Sequence, residues 1–357
     1  MPTQPSPPFA VQHTPQVPEL LNTLGITLVL STYQAGKVVF LSAKDDNSLV
    51  QLPRTLDKPM GIAEDPATNR LAIACRREVM VFANSAELAH HYPKAPQRYD
   101  AMYLPRLTYH TGAIDVHDLN FGDEGRSLYA VNTKFSCLMT LDDRYSFVPY
   151  WQPKFISRLS SDDRCHLNGM AMEGGQPRYA TSFSQTDTPG GWRPTVTKTG
   201  TIFDVPSGEV LATGLAMPHS PRLYDGELFV LLSATGELAR VDRNSGKVEI
   251  VRRIGGFVRG LGRAGDYLFV GVSRLREKSS TFGHLEVAKE NNFAGIKIIH
   301  LPTAALVGEL RYLASVDEIY DVHVLSGKRR PNLLNTISDD HQAALSTPDT
   351  TYWGKLA

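Results

Sequence analysis

Short apolar runs of about four to seven residues, rich in Val, Ile, Leu, Phe and Tyr, recur along the chain with Gly, Asp, Asn and Pro between them. Examples are ITLVLSTY (26–33), GKVVFLSA (36–43), RLAIACR (70–76), EVMVFA (78–83), RSLYAVN (126–132), RYATSF (178–183), ELFVLLS (227–233), DYLFVGVS (266–273) and GIKIIHL (295–301). This spacing predicts an all-β protein. No segment sustains a 3.6-residue period, and ELLNTLG from Glu19 and SAELAHHY from Ser85 predict single helical turns at most.

A faint repeat narrows the all-β choices. Its unit is a short strand, a turn rich in Gly and Asp, and a more apolar strand: MGIAEDPATNRLAIAC from Met60, HDLNFGDEGRSLYAVN from His117, NGMAMEGGQPRYATSF from Asn168, HSPRLYDGELFVLLS from His219 and RGLGRAGDYLFVGVS from Arg259. A sixth copy starts at His323, HVLSGKRRPNLLN. A repeat of this length is what four-stranded propeller blades produce. The segment 26–52 supplies strands without an inner partner, and IYDVHVL near the C-terminus supplies an inner strand without a blade. Pairing the two ends closes a six-bladed β-propeller and removes exposed sheet edges. A seven-bladed ring is the alternative, with LLNTLG as a further inner strand. The expected division is a Pro-rich arm over 1–19, one propeller domain over 20–337 and a tail over 338–357. The segments 186–200 and 274–292 are longer and more polar, and are expected to be insertions over one face.

The first strand of a blade lines the central channel, so the residue opening each repeat is expected to face it: Met60, His117, Asn168, His219, Arg259 and His323. Histidines then fall on alternate blades. Three converging neutral imidazoles, His117, His219 and His323, suit a divalent transition metal, Fe, Cu, Mn or Zn, with positions open to water and substrate. The competing reading makes them hydrogen-bonded packing residues. His166 sits two residues before Asn168, on the same side of its strand, and Asp118 and Asp321 could orient ligand imidazoles.

Arg222 and Arg259 are candidates for gripping a carboxylate or phosphate, because a guanidinium binds such groups bidentately. Each can equally serve as a structural cation. Trp192 and Arg193 lie on the first insertion and read as a lid or as its packing, and Tyr33, Lys134 and Asp187 are weaker candidates. There is no GxSxG elbow, phosphate loop or HExxH helix. Cys165 and His166 are adjacent on a strand and should point to opposite faces, which argues against a thiol nucleophile.

Thirty-seven basic and 37 acidic side chains in 357 residues leave a net charge of +0, with no basic stripe, so no nucleic-acid partner is expected. The N-terminal MPTQPSPPFAVQHTPQVPE has neither a basic region nor an apolar run, so no signal peptide or membrane span is expected, and the protein is expected to be cytoplasmic. Three scattered cysteines, Cys75, Cys137 and Cys165, give no disulfide framework.

The strings LSTYQAGKVVFL (30–41), DRCHLNGMAM (163–172), GLAMPHSPRLYDGELFVLLSATGEL (214–238) and GFVRGLGR (256–263) resemble a bacterial family of conserved hypothetical proteins defined as a domain of unknown function. The resemblance spans about Leu20 to Pro331 and implies no reaction. More distantly, LNGMAM is similar to the Asn-Gly strand openings of gluconolactonase-like and strictosidine-synthase-like six-bladed propellers, where such an Asn can bind calcium. Here histidines replace the carboxylates and amides of that pattern. The function expected first is a metal-dependent enzyme acting on a small polar or anionic substrate. His117, His219 and His323 would hold the ion, Arg222 and Arg259 would position an anionic group, and His166 or Asn168 would supply hydrogen bonds or proton transfer. The alternatives are a propeller that recognises a peptide or protein, and a metal-free lyase or hydrolase using His166 and His219.

Overall fold

Each apolar run pairs with its neighbours in the chain, and the result is six β-sheets whose four propeller strands run antiparallel. The protein is described by a computed structural model, over residues 6–275, 282–283, 285–290 and 293–355. From the inner strand outward, the first blade is Ile62–Asp65, Arg70–Ala74, Glu78–Asn84 and Ala101–His110, and the second is Val116–Gly122, Ser127–Asn132, Cys137–Thr140 and Val148–Trp151. The third is Leu167–Glu173, Gln176–Ser182, Gly200–Asp204 and Glu209–Leu215, and the fourth is Pro218–Tyr224, Glu227–Leu232, Glu237–Val241 and Val248–Arg253. The fifth is Phe257–Ala264, Tyr267–Ser273, Ala294–His300 and Ala305–Tyr312. In the sixth, Asp321–Ser326 from the C-terminal part is the inner strand for Ile26–Thr32, Lys37–Asp45 and Ser48–Thr55, in register from Ile26↔Ser326 to Ser31↔Asp321. The ring is a six-bladed propeller closed by the two ends of the chain.

The core lies between blades. Tyr179 and Ile202 of the third blade pack on Leu228 and Val230 of the fourth, and Phe229 and Leu231 on the other face of the fourth pack on Leu268 and Val270 of the fifth. A middle strand is therefore buried on both faces, which is why its sequence reads as a continuous apolar run and not as an alternation.

Hydrogen bonds between inner strands give the blades a common frame. Asp118 Oδ2 accepts from Met170 N (3.1 Å), Asp321 Oδ2 from Ile62 N (3.0 Å) and Ser220 Oγ from Gly260 N (2.9 Å). Four residues before each of these three donors, and at the matching place before the second and fourth inner strands, the backbone is left-handed: Lys58 (φ 51°), Asp115 (61°), His166 (52°), Met217 (57°) and Gly256 (78°). Three residues beyond them stand Gly61, Asp118, Gly169, Ser220 and Arg259, and Asp321 is their counterpart in the sixth blade. Small residues are required at two of these places. A Cβ on Gly61 would lie 2.8 Å from Leu119 Cδ2, and one on Gly169 would lie 2.3 Å from Pro221 Cδ.

The ends of the chain depart from expectation. Val11–His13 adds an edge strand beside Ala305–Tyr312, so the arm is engaged from residue 11 onward. Gln16–Leu24 is a nine-residue helix and not a single turn. Val17 and Leu21 bury one face of it, and left-handed Gly25 (φ 64°) ends it. Val17, Leu20, Leu21 and Leu24 stand at i, i+3, i+4 and i+7, a helical period that begins before Glu19 and is cut short when the segment is read from there. The tail carries the helix Asp340–Ala343 and a hairpin of Ala344–Ser346 and Thr351–Trp353. Trp353 Nε1 donates to the Leu88 carbonyl (3.1 Å), and its ring lies 5.3 Å from that of Tyr92. Pro331–Leu333 pairs in parallel with the outer strand of the first blade. Among the described residues, no helix is long and apolar enough to cross a membrane.

Candidate functional site

In the common frame, the residues two beyond the left-handed position are Met60, His117, Asn168, His219 and Val258, with Tyr320 as the sixth. The first four agree with the sequence alignment. Arg259 lies one residue further along its strand, and the histidine placed in the sixth blade is three residues out of step. HDLN (117–120) corresponds to YDVH (320–323), because Asp118 and Asp321 make the same bond to the next blade. His323 is thus the counterpart of Asn120. Its Nε2 lies 3.6 Å from Glu64 Oε2, and it lines a cleft of about 270 Å³ at the other end of the channel. The trio His117, His219 and His323 is not assembled. Among the described residues, no group of three or more His, Cys, Asp or Glu side chains is arranged to hold a metal ion.

What the fold does assemble at the near mouth is a pocket of about 330 Å³ lined by His117, His166 and His219. Four cations, Lys58, Lys134, Arg193 and Arg259, and two carboxylates, Asp115 and Asp163, also line it. Each imidazole has Nδ1 engaged. His117 Nδ1 donates to the Asp115 carbonyl (3.0 Å), and His166 Nδ1 to the Asp163 carboxylate (3.0 Å to Oδ2). His219 Nδ1 is 2.7 Å from Ser233 Oγ, whose single hydrogen is directed to the Val258 carbonyl (2.6 Å), so His219 donates there. Nε2 is then the nitrogen left to a ligand on all three rings.

The rings support one another. His117 meets His166 edge-on at 5.0 Å, and His166 lies between Phe183 (4.5 Å) and Trp192 (4.3 Å). Phe183 in turn meets His219 at 5.0 Å. Burial pushes His117 down to about 4, the Asp115 charge opposing and the His166 charge assisting. Burial, followed by the charges of Arg259, His166 and His117, holds His219 well below its ordinary range. Both are neutral hydrogen-bond acceptors at neutral pH.

Arg259 reaches this layer from the fifth blade, its guanidinium 4.0 Å over the Tyr320 ring and 3.8 Å from the buried carboxylate of Glu318. Burial pushes Glu318 up to about 7, against the Arg259 charge and the backbone N–H groups of Gln34 and Tyr33 that it accepts from.

Arg222 lies deeper and closes the channel. It donates to Asp118 Oδ2 (2.8 Å) and to the carbonyls of Pro221 (2.9 Å) and Met170 (3.3 Å), and stands 3.7 Å from Asp321 Oδ1. Burial opposes its charge, but the two carboxylates outweigh burial and hold the proton firmly. Asp118 and Asp321 therefore face Arg222 and the backbone, and not an imidazole.

The first insertion is strapped over the pocket. Trp192 is buried and donates Nε1 to Asp163 Oδ2 (3.1 Å), while Arg164 ties Asp187 (2.7 Å) to Asp162 (3.0 Å). Arg193 lies 4.5 Å from the Trp192 ring and lines the pocket with Lys134. Tyr33 lines it opposite, with Lys58 5.6 Å from its ring. Much of the second insertion, 274–292, falls outside the described residues, and Phe282 packs on Phe257 at 5.7 Å. Cys165 is buried, with its thiol pushed up to about 12 by burial, as befits an inert side chain. Asp163, Asp115, Lys58 and Glu318 carry no motif in the sequence that marks them as pocket residues. The first three come from the turns that enter inner strands, where a left-handed residue brings nearby polar groups back over the mouth.

A closed six-bladed ring with a histidine-rich pocket at one mouth and an arginine-sealed channel beneath defines the class. Residues 15–334 match the model of a domain of unknown function, DUF4915, and the chain belongs to that family. No curated protein matches it. Two solved structures are similar over most of the chain. One is a chain of a nidogen/laminin complex, at TM-score 0.53 and 9% identity, with 85% of this chain and 99% of that one covered. The other is a protein of unknown function from Bacteroides caccae, at TM-score 0.53 and 12% identity, with 84% and 98% covered. At these identities the likeness is one of fold.

Proposed function

We propose that the histidine mouth is an acid–base active site for a small anionic substrate bearing hydroxyl groups. The observation that carries this reading is the Asp163–His166 pair on the pocket wall, with Nδ1 of the imidazole held by the carboxylate at 3.0 Å. A carboxylate so placed fixes the tautomer and stabilises the imidazolium formed when Nε2 takes a proton. His166 is thus the proton carrier. His117 and His219 stay neutral and accept hydrogen bonds from substrate hydroxyls through Nε2. The excess of cations over carboxylates favours an anion, and Arg259, stacked on Tyr320, is the cation within the imidazole layer. Because the expected histidine trio is not assembled, proton transfer is assigned to these side chains themselves.

Isothermal titration with D-glucuronate and D-glucose tests the binding half of the reading. The uronate is expected to bind and the neutral sugar is not, and Arg259→Ala should weaken uronate binding about tenfold or more, the worth of one charge-assisted hydrogen bond. Equal heats for the two sugars, or none for either, would contradict it.

A further inference from the structure

Beneath the imidazole layer the channel narrows to a chamber of about 10 Å³, just above the Arg222 seal, lined among others by Asn168, His219 and Arg259. That is room for about one oxygen atom. Two buried donors at this level have no hydrogen-bond partner among the described residues, Asn168 Nδ2 and Arg259 Nε. Thr181 Oγ1 donates to the Asn168 Oδ1 at 2.7 Å, and in this orientation the amide turns Nδ2, with both N–H groups, toward the channel. Both donor atoms are buried, and Asn168 as a whole is only 4% exposed. Asp118 and Asp321 border the same chamber, but their oxygens are engaged by Arg222 and by the backbone of Leu119, Met170, Val322 and Ile62. The donors belong to the third and fifth blades, on either side of His219.

We propose that Asn168 and Arg259 form an oxyanion-binding neck that takes one carboxylate oxygen of a 2-hydroxy acid, so that the carbon beside the carboxylate lies at the level of the imidazoles. The proposal rests on the acid–base reading of the pocket above. The step it implies breaks the C–H bond beside the carboxylate. The proton goes to His166 Nε2, and the electron pair moves through the new C=C bond onto the carboxylate oxygen. The enediolate so formed is held by the two donors. Return of the proton to the same carbon regenerates the acid, so no co-reactant is needed. A planar carboxylate that places one oxygen in such a chamber keeps a flat profile behind it, whereas a tetrahedral phosphate spreads three substituents behind the entering oxygen, which the narrowing of the channel disfavours.

The test is a titration of protein labelled with ¹⁵N in Arg, Asn and His, followed by amide, guanidinium and imidazole signals, with sodium glycolate and methyl phosphate as probes. Glycolate should move the Asn168 Nδ2 and Arg259 Nε signals together with those of His166 and His219, and methyl phosphate should leave the Asn168 signal in place. Asn168→Ala should keep the His166 response but weaken glycolate binding about tenfold. If glycolate moves the imidazole and Arg259 signals but not that of Asn168 Nδ2, the neck is refuted while the pocket reading survives. If glycolate moves none of these signals, both fall. Unchanged affinity in folded Asn168→Ala protein removes Asn168 from the neck.

Discussion

One carboxylate, that of Asp163, accepts from both His166 Nδ1 (3.0 Å) and Trp192 Nε1 (3.1 Å), so the proton carrier and the strap over the pocket share an anchor. Asp163 is itself in the left-handed region (φ 47°), as is His166 (φ 52°). Neither has the glycine freedom that such a backbone favours, and strain of this kind is held only where the surroundings fix it.

Removing the anchor should therefore disturb both. Asp163→Ala strands two donors, at about 1–3 kcal/mol each. The ¹⁵N signals of His166 should show loss of the fixed tautomer, and indole fluorescence should shift to the red as Trp192 meets water. A variant with unchanged emission and an unchanged His166 signal would refute the shared anchor.

Arg222 is expected to matter for stability more than for ligand binding. Arg222→Met leaves Asp118 and Asp321 buried without their cation, which should cost about 3–5 kcal/mol in urea unfolding. Replacing both aspartates by asparagine in the same protein should restore a large part of the loss. A single-variant cost under about 1 kcal/mol would contradict the role of the arginine as a structural seal.

The buried histidines and Glu318 act on acid stability with opposite signs. His117, ordinarily near 6.5 and here about 4, stays neutral in the fold while the unfolded chain takes up a proton, so stability is lost as pH falls from 6.5 to about 4. His219 acts in the same direction. Glu318, ordinarily near 4.5 and here about 7, takes its proton first in the fold, so it adds stability as pH falls from about 7 to 4.5. Glu318→Gln removes this offset. Its stability should fall more steeply than that of the parent between pH 6.5 and 4.5, by up to about 1.4 kcal/mol per pH unit. Parallel curves from urea unfolding across that range would contradict the assignment.

Much of the architecture was legible in the sequence, and the reason is physical. Strands buried on both faces between blades must be apolar throughout, so ELFVLLS and DYLFVGVS announce themselves, and the unmatched segments at the two ends imply their pairing across the closure. The site was legible only in part. His117, Asn168 and His219 occupy the frame as expected, but a histidine is a misleading landmark in the sixth blade, because the frame is kept there by the aspartate that bonds the next blade. Tyr320, and not His323, faces His117, at 5.7 Å. Asp163 and Glu318 escaped notice because nothing in a single chain distinguishes a turn carboxylate that bends back over a pocket from one that faces water.

The frame also limits what the third blade can carry beside Asn168. Gly169→Ala would place a Cβ 2.3 Å from Pro221 Cδ and 2.7 Å from Thr181 Oγ1, the hydroxyl that orients Asn168. The variant should lose about 1–3 kcal/mol in thermal or urea unfolding, and the Asn168 amide signals should move. A variant as stable as the parent, with those signals in place, would show that the third blade is not so closely packed on the fourth.

Proton transfer between this mouth and a small acid is read out by isotope exchange. The protein is incubated in D₂O with the 2-hydroxy acids glycolate and D-glycerate and with D-glucuronate, whose carbon beside the carboxylate bears the ring oxygen, and loss of the C–H signal beside the carboxylate is followed by ¹H NMR. Time-dependent deuterium incorporation into at least one acid is expected, abolished in a folded His166→Ala variant. No incorporation into any of them, or undiminished incorporation without His166, would contradict the account.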